Sequence, residues 1–350
     1  MRLIDKLILD ITMKKLLLID GSSMLVTNYY GNLPKSLMFE KDPEKQKSLY
    51  QDIMHSENGE YTNALYGMLR TILKIIENQK PEYIAFAFDK TRDTFRRDLY
   101  ADYKGTRKDT PQPLKEQFIA MENILMQLGF KVYVNDTYEA DDLIGTLAHK
   151  FENEIPVVVM TKDHDYLQLV SENTRAWMVQ TKQETCNKLL SEYTSFWGVD
   201  KEMVHLPDKV FEYTADIVEA EEGVLPSQII DLKGIVGDTS DNIPGVRGVA
   251  GTATIPLLKE YGTVEGIYEA IDTTDKDMLE NFWKDSLGIK KGAYKKLTAE
   301  GARESAFLSK KLATIVDVPE LDVVLEDLKA DLNRMELAKI CARYNFKSIK

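Results

Sequence analysis

Cysteine and histidine are scarce in this chain of 350 residues. The two cysteines, Cys186 and Cys341, lie far apart with no paired spacing, so neither a disulfide framework nor a zinc cluster is indicated. The four histidines, His55, His149, His164 and His205, form no HxxxH pair, and none accompanies a GxSxG serine, which leaves zinc-hydrolase and serine-triad chemistry unsupported. No run approaches the ~20 apolar residues of a membrane span. The semi-apolar start, residues 1–12, is interrupted by Asp5, Lys6 and Asp10, which a signal peptide would not tolerate; it reads as a short extension before a fold that begins near Met13. Repeats and low-complexity tracts are also lacking. With 43% apolar residues the chain can bury a sizeable core, in one large domain or two modest ones.

What the chain does have is carboxylates at the ends of apolar runs. Leu16-Leu17-Leu18-Ile19 precedes Asp20, Tyr83 to Phe88 precedes Asp89, and Val157 to Lys162 precedes Asp163. In an open parallel sheet, ligands bind outside the carboxyl ends of the strands. Three carboxylates delivered there would repel one another, by about 4 kcal/mol for two charges ~4 Å apart at an effective dielectric near 20. Such a cluster calls for a cation or for protons, and hard oxygen donors suit Mg²⁺ or Mn²⁺. Further acids join the set. Glu139, Asp141 and Asp142 open a helix, where one or two acids would suffice for capping. Asp163 and Asp165 sit two apart on an extended segment and project the same way, and Asp238 and Asp241 are spaced by three. Any one pair is weak, because Asp-rich turns are common; five groups in sequence point to two-metal phosphodiester hydrolysis.

The net charge of −12 argues against wholesale binding to a polyanion, but the distribution matters more than the sum. From Asp89 to Lys108 there are seven bases against four acids, interleaved with Phe95, Tyr100 and Tyr103. A basic, aromatic segment directly after an acidic strand end suits a phosphate backbone and an unstacked base; standing alone it would read as a solvated helix face. Lys290, Lys291, Lys295 and Lys296 form a later basic cluster with the same default reading.

Strand and helix patterns alternate: strands over 15–19, 82–88, 130–134 and 156–161, helices over about 22–30, 61–78, 111–128 and 140–153. That spacing predicts a parallel sheet covered on both faces. Residues 34–60 read as a loop or partly helical insertion, and about 182–226 as irregular. From 229 to 267 two helices flank the turn Asp241-Asn242-Ile243-Pro244-Gly245-Val246-Arg247-Gly248, which can aim backbone N–H groups at a phosphate.

The motifs Leu17-Leu18-Ile19-Asp20-Gly21-Ser22-Ser23, Phe86-Ala87-Phe88-Asp89, Thr94-Phe95-Arg96, Tyr103-Lys104-Gly105-Thr106-Arg107, Tyr138-Glu139-Ala140-Asp141-Asp142 and Gly237-Asp238-Thr239-Ser240-Asp241-Asn242-Ile243-Pro244-Gly245-Val246 occur in order. Across most of 13–350, with Leu312-Ala313-Thr314-Ile315-Val316 near the end, the chain resembles the bacterial 5′-nuclease family. Its members are relatives of flap endonucleases and include the 5′→3′ exonuclease domain at the start of bacterial DNA polymerase I.

The resemblance implies an α/β fold with a PIN-like parallel sheet, helices on both faces, a helical arch over about 90–115, and a C-terminal helix–three-turn–helix DNA-binding module. It divides the chain into a catalytic core, 13–228, and a DNA-binding region, 229–350. It implies that Asp20, Asp89, Glu139, Asp141 and Asp142 hold the tighter of two Mg²⁺ or Mn²⁺ ions and that Asp163, Asp165, Asp238 and Asp241 serve the second. Lys104, Arg107 and Arg96 match basic positions that contact the phosphate, Gly245 and Gly248 belong to the DNA-gripping turn, and K⁺ is expected at that module. The implied activity is hydrolysis at 5′ flaps, nicked or gapped duplexes and primer RNA–DNA hybrids in replication and repair, in the bacterial cytoplasm at the nucleoid, beside a polymerase domain or a separate DNA polymerase.

Departures lie in the grip. Val26-Thr27 replaces the usual Tyr-Arg, and Lys162-Asp163-His164-Asp165 replaces Gly-Asp-Lys-Asp. Gly248-Val249-Ala250-Gly251-Thr252-Ala253-Thr254, followed by Pro256, replaces Gly-Ile-Gly-Glu-Lys-Thr-Ala. These changes predict a weaker hold on duplex DNA and a steeper loss of activity with salt. Two alternatives differ in class: a junction-binding module that does not cut, against which the full set of acids argues, and an RNA-directed PIN nuclease, against which the basic segment and the helix–turn–helix argue.

Overall fold

The computed structural model describes residues 14–197, 205–290, 292–319 and 321–349, with no side-chain description for 195–197. The proposed extension, residues 1–12, and Lys291 lie outside the described residues. Six strands form one sheet: β1 (Leu16–Asp20), β2 (Tyr83–Asp89), β3 (Lys131–Asn135), β4 (Val157–Thr161), β5 (Thr174–Val179) and β6 (Val210–Tyr213). The order is β3-β2-β1-β4-β5-β6; β1 to β5 are parallel, and β6 is antiparallel to β5. β1 and β4 are buried at every position, which is why their sequences are continuous aliphatic runs rather than alternating ones. The order reverses beside β1, the switch point where a doubly wound sheet opens a crevice.

Each face is covered by helices whose apolar positions recur at helical spacing. On one side the helix Asn63–Gln79 buries Leu65, Met68, Leu69, Ile72 and Ile75. It ends at Lys80, left-handed at φ 43°, before Pro81. On the other, the helix Ala140–Phe151 buries Leu143, Ile144, Leu147, Ala148 and Phe151. A separate core lies under the later helices Ile229–Val236, Gly251–Tyr261, Val264–Thr273, Lys276–Asp285 and Ala302–Ala313. It includes Ala176, Met178, Phe211 and Tyr213 from β5 and β6, so the sheet edge and the helical region share apolar packing.

Two segments are more ordered than their sequences suggest. Residues 34–60 contain the short helices Lys35–Phe39 and Pro43–Ser48, tied down by the burial of Leu33, Leu37 and Ile53. The segment read as irregular holds the helix Gln183–Trp197, the strand β6 and the helix Ala215–Glu222; β6 has only four residues and is a strand through its pairing with β5. The division at 228/229 also needs correction beyond Ala313. Ile315, Val318, Val323 and Leu328 pack on the Ala140–Phe151 face, and Leu337, Ile340, Tyr344 and Phe346 join the core on the opposite face, so the end of the chain returns to the sheet by burial of its own apolar residues.

Gly21, the first residue after Asp20, lies against the ring of Phe88, one residue before Asp89. A Cβ there would come within 2.4 Å of the ring. The ends of β1 and β2 are thus set by a contact only glycine permits. Gly21→Ala is expected to lose about 1–3 kcal/mol by overpacking, read as a lower urea midpoint with an unchanged slope.

Candidate functional site

The strand ends deliver carboxylates as the apolar runs predict. Asp20 closes β1, Asp89 closes β2 and Asp163 follows β4, all at the carboxyl edge of three adjacent strands. Asp20 is buried and accepts from the backbone N of Ser23 at 2.9 Å and from Thr161 Oγ1 at 2.8 Å. Burial, then the neighbouring Asp89 charge, push its carboxyl up to about 7. Asp89 accepts from the backbone N of Ala140 at 3.0 Å, linking β2 to the helix that carries Asp141. Asp163 caps the short turn after β4 by accepting from the backbone N of Asp165 at 3.0 Å. Burial holds the carboxyls of Asp141 and Asp163 above their usual range despite Arg96 and Lys233 respectively.

Cations from other elements stand among these acids. Lys104 donates to Glu139 at 2.7 Å and lies 3.7 Å from Asp241. Its backbone is left-handed, at φ 54°, with its N–H on the Asp241 carbonyl. Burial works against the Lys104 charge, and Glu139 and Asp241 more than offset it, so the ammonium is held firmly protonated. Arg107 is hydrogen-bonded to Asp241, and Lys233 contacts Asp165 and lies 2.7 Å from Asp238. Burial raises the Asp238 carboxyl, but Lys233 and Ser240 outweigh it and bring it down to about 2. The Tyr103 hydroxyl lies 3.2 Å from both Glu139 Oε2 and Asp241 Oδ2. Among the described residues, no three His, Cys, Asp or Glu side chains converge in ion-binding geometry; amines and guanidinia lie between several of the acids.

Two expected roles change. Arg96 is 1% exposed, with Nη1 and Nη2 at 2.7 and 2.8 Å from the two oxygens of Asp142. Nε and Nη2 also donate to the carbonyls of Leu312 and Thr314. A guanidinium so enclosed does not reach a DNA phosphate; it braces the acids. Asp142 is fully buried, and its oxygens also accept from the backbone N–H groups of Glu139 and Val316. Its four acceptor positions are filled, so it is spent on Arg96 rather than open to an ion. The expected arch likewise is a short helix, Phe95–Leu99, followed by turns that fold onto the acids; Asn242 donates to the Asp102 carbonyl across the gap.

The turn between Ile229–Val236 and Gly251–Tyr261 has positive φ at Gly237, Gly245 and Gly248. Gly245 is buried, its N–H donates to Ser309 Oγ, and a Cβ would fall 2.4 Å from the Gly237 nitrogen, so its part is close packing rather than DNA contact. Gly248 is exposed, and its carbonyl accepts from Lys296 at 2.5 Å. The second helix runs through Pro256 without a break. Sequence reasoning passed over Lys233 and Thr161, and placed Tyr103 in the motif with Lys104 and Arg107 without giving it a role at the acids. Lys233 was findable as a base in the last helical turn before Asp238.

Two family models match the chain: one described as 5′-3′ exonuclease, N-terminal resolvase-like domain, over residues 15–194, and one as 5′-3′ exonuclease, C-terminal SAM fold, over 224–336. DNA polymerase I of Caldicellulosiruptor bescii is 35% identical over 338 residues, and that of Streptococcus pneumoniae strain R6 is 36% identical over 344. Each alignment takes in 96% of this chain, which spans about a third of those relatives' length, 33% and 32%. Among solved structures, T5 5′-exonuclease with bound zinc is similar at a TM-score of 0.55 and 18% identity, covering 86% of this chain and 89% of that one. The catalytic core of Rad2 with DNA substrate is similar at 0.51 and 16%, covering 95% and 88%. These likenesses show a shared fold. The family-model matches and the polymerase I relatives together place this chain in the 5′-3′ exonuclease family.

Proposed function

We propose that this chain is a structure-specific 5′→3′ exonuclease and 5′-flap endonuclease that hydrolyses DNA, and RNA primers paired to DNA, with two Mg²⁺ or Mn²⁺ ions. The observation that carries the reading is the delivery of Asp20, Asp89 and Asp163 to one edge of three adjacent strands, with Asp20 buried and the carboxyls of Asp20 and Asp163 held above their usual range. The donor chemistry fits: all are hard oxygens, and the raised carboxyls of Asp20, Asp141 and Asp163 mark negative charge that a divalent cation would relieve. Asp20, Asp89, Glu139 and Asp141 would hold one ion, and Asp163, Asp165, Asp238 and Asp241 the other. Such ions supply an ionised water and stabilise the leaving oxygen.

The protein's own residues prepare the rest. Lys104 and Arg107 bring fixed positive charge to the acids, where the scissile phosphate would meet it. Arg96 and Asp142 hold the helix of Glu139 and Asp141 against the chain at Leu312 and Thr314. The proposed partners are duplex DNA with a 5′ flap, nick or gap, and a polymerase domain or separate polymerase, in the bacterial cytoplasm at the nucleoid. K⁺ at the helix–turn–helix remains part of the proposal.

Counterion release argues for a salt dependence opposite to the one expected from the sequence. Its slope counts the phosphates neutralised, so missing lysines weaken binding at every salt concentration and make the slope shallower. Thr252→Lys is expected to tighten duplex binding and steepen the slope of log affinity against log salt by about one. The same affinity and slope in both proteins would place Thr252 away from the backbone.

Cleavage of an end-labelled 5′-flap at low salt tests the activity itself. Asp141→Ala and Asp163→Ala are expected to lose roughly a hundredfold or more, and Lys104→Ala a comparable factor. Full activity in either Asp variant contradicts the assignment of that side chain.

Stability against pH is a separate check. An acid held above its unfolded value takes up protons on folding, so Asp20 favours folding fully below about pH 4 and loses that contribution as pH rises toward 7. Asp20→Asn is therefore expected to stabilise the chelator-treated protein at pH 8, by at most about 4 kcal/mol, and much less near pH 4. Saturating Mg²⁺ should stabilise the wild type more than the variant in the same urea titration. Equal urea midpoints at pH 8 without metal would contradict this account of Asp20.

A further inference from the structure

Lys233 differs from the other cations of the site in what it bridges. It stands in the last turn of the helix Ile229–Val236, 16% exposed, in contact with Asp165 after β4 and 2.7 Å from Asp238 in the following loop. These are two of the four carboxylates proposed for the second ion, and they come from separate segments. Asp20 and Asp89, proposed for the first ion, have no ion pair among the described residues; their partners are backbone N–H groups and a threonine hydroxyl. The two halves of the site therefore start from different states: in the first, Lys104 stands on Glu139 but Asp20 and Asp89 are left without an ion pair, whereas in the second Lys233 spans Asp165 and Asp238.

We infer that Lys233 is a tethered counter-ion that bridges Asp165 and Asp238 and must withdraw before a second divalent cation can use both, so that it sets the affinity gap between the two ions. An ammonium and a divalent ion drawing on the same oxygens would repel at close range. Lysine suits the role: a compact charge on a flexible four-carbon stem can leave two carboxylates without disturbing its helix. Its charge would hold Asp165 and Asp238 together until the ion arrives. The inference rests on the proposed reading of the acids as ion ligands and adds the order in which they fill.

The test is Mn²⁺ binding, by calorimetry and by electron paramagnetic resonance of free Mn²⁺, on the wild type, Lys233→Met and Lys233→Arg, without DNA. The wild type is expected to bind two ions of unequal affinity. In Lys233→Met the weaker one tightens by about tenfold or more while the stronger changes little, and in Lys233→Arg it stays weak. Two ions in the wild type with an unchanged or weaker second ion in Lys233→Met would overturn the inference and leave the proposed function standing. No Mn²⁺ binding by the wild type would overturn both. Should Lys233→Met fail to fold, the wild type alone decides: the Lys233 ammonium signal in nitrogen-resolved NMR should move with the second equivalent of Mg²⁺, and a signal unmoved by either equivalent refutes the displacement.

Discussion

Charge compensation at the carboxyl edge of the sheet is the constraint on which the rest of the structure depends. Parallel strands β1, β2 and β4 end side by side, so their terminal acids are forced together whatever their mutual repulsion. Backbone N–H groups, the Thr161 hydroxyl and four cationic side chains, Arg96, Lys104, Arg107 and Lys233, hold the cluster. None of those four cations comes from the strands. They come from the segment after β2 and from the helix before Asp238, so neutralising the cluster also joins distant parts of the chain.

Arg96 shows how far this goes. Burying a guanidinium and a carboxylate costs several kcal/mol per ion before attraction returns it, and the balance holds only when hydrogen bonds satisfy the remaining groups. Here they do: Asp142 receives two bonds from Arg96 and two from the backbone, and Arg96 also reaches the carbonyls of Leu312 and Thr314. The pair acts as a specific joint among the segment after β2, the acidic helix and the chain leaving Ala302–Ala313. An apolar substitute could match its stability but not its register. That is why two residues that look like ligand and DNA contact in the sequence are structural in the fold.

Much of the architecture was readable because periodic burial leaves a pattern. The apolar runs of β1, β2 and β4 and the apolar stripes of Asn63–Gln79 and Ala140–Phe151 admit few other arrangements, and the acids at the strand ends follow. β6 escaped because an edge strand of four residues is defined by its partner and not by its own composition. The site was legible at the level of residue type and not of role. Sequence spacing says that Arg96, Lys104 and Asp142 approach the same place; only packing says that Arg96 and Asp142 are sealed and that Lys104 retains some exposure at 14%. Lys233 carries no motif of its own, since a lysine at a helix end is common on any surface.

The turn proposed to hold DNA and the acids proposed to cut it are mechanically one piece. Lys104 bonds the Asp241 carbonyl through its backbone and approaches the Asp241 carboxylate through its side chain, and Asn242 bonds the carbonyl of Asp102. Asp238 and Ile243 close the loop by mutual backbone hydrogen bonds, and Gly245 locks it onto Ser309 and Ser305. A displacement of this turn would therefore shift Asp241, and with it the surroundings of Lys104, Arg107 and Glu139. The turn is thus held in register by the acid cluster, and an exposed residue of the following helix such as Thr252 can vary without moving the acids behind it.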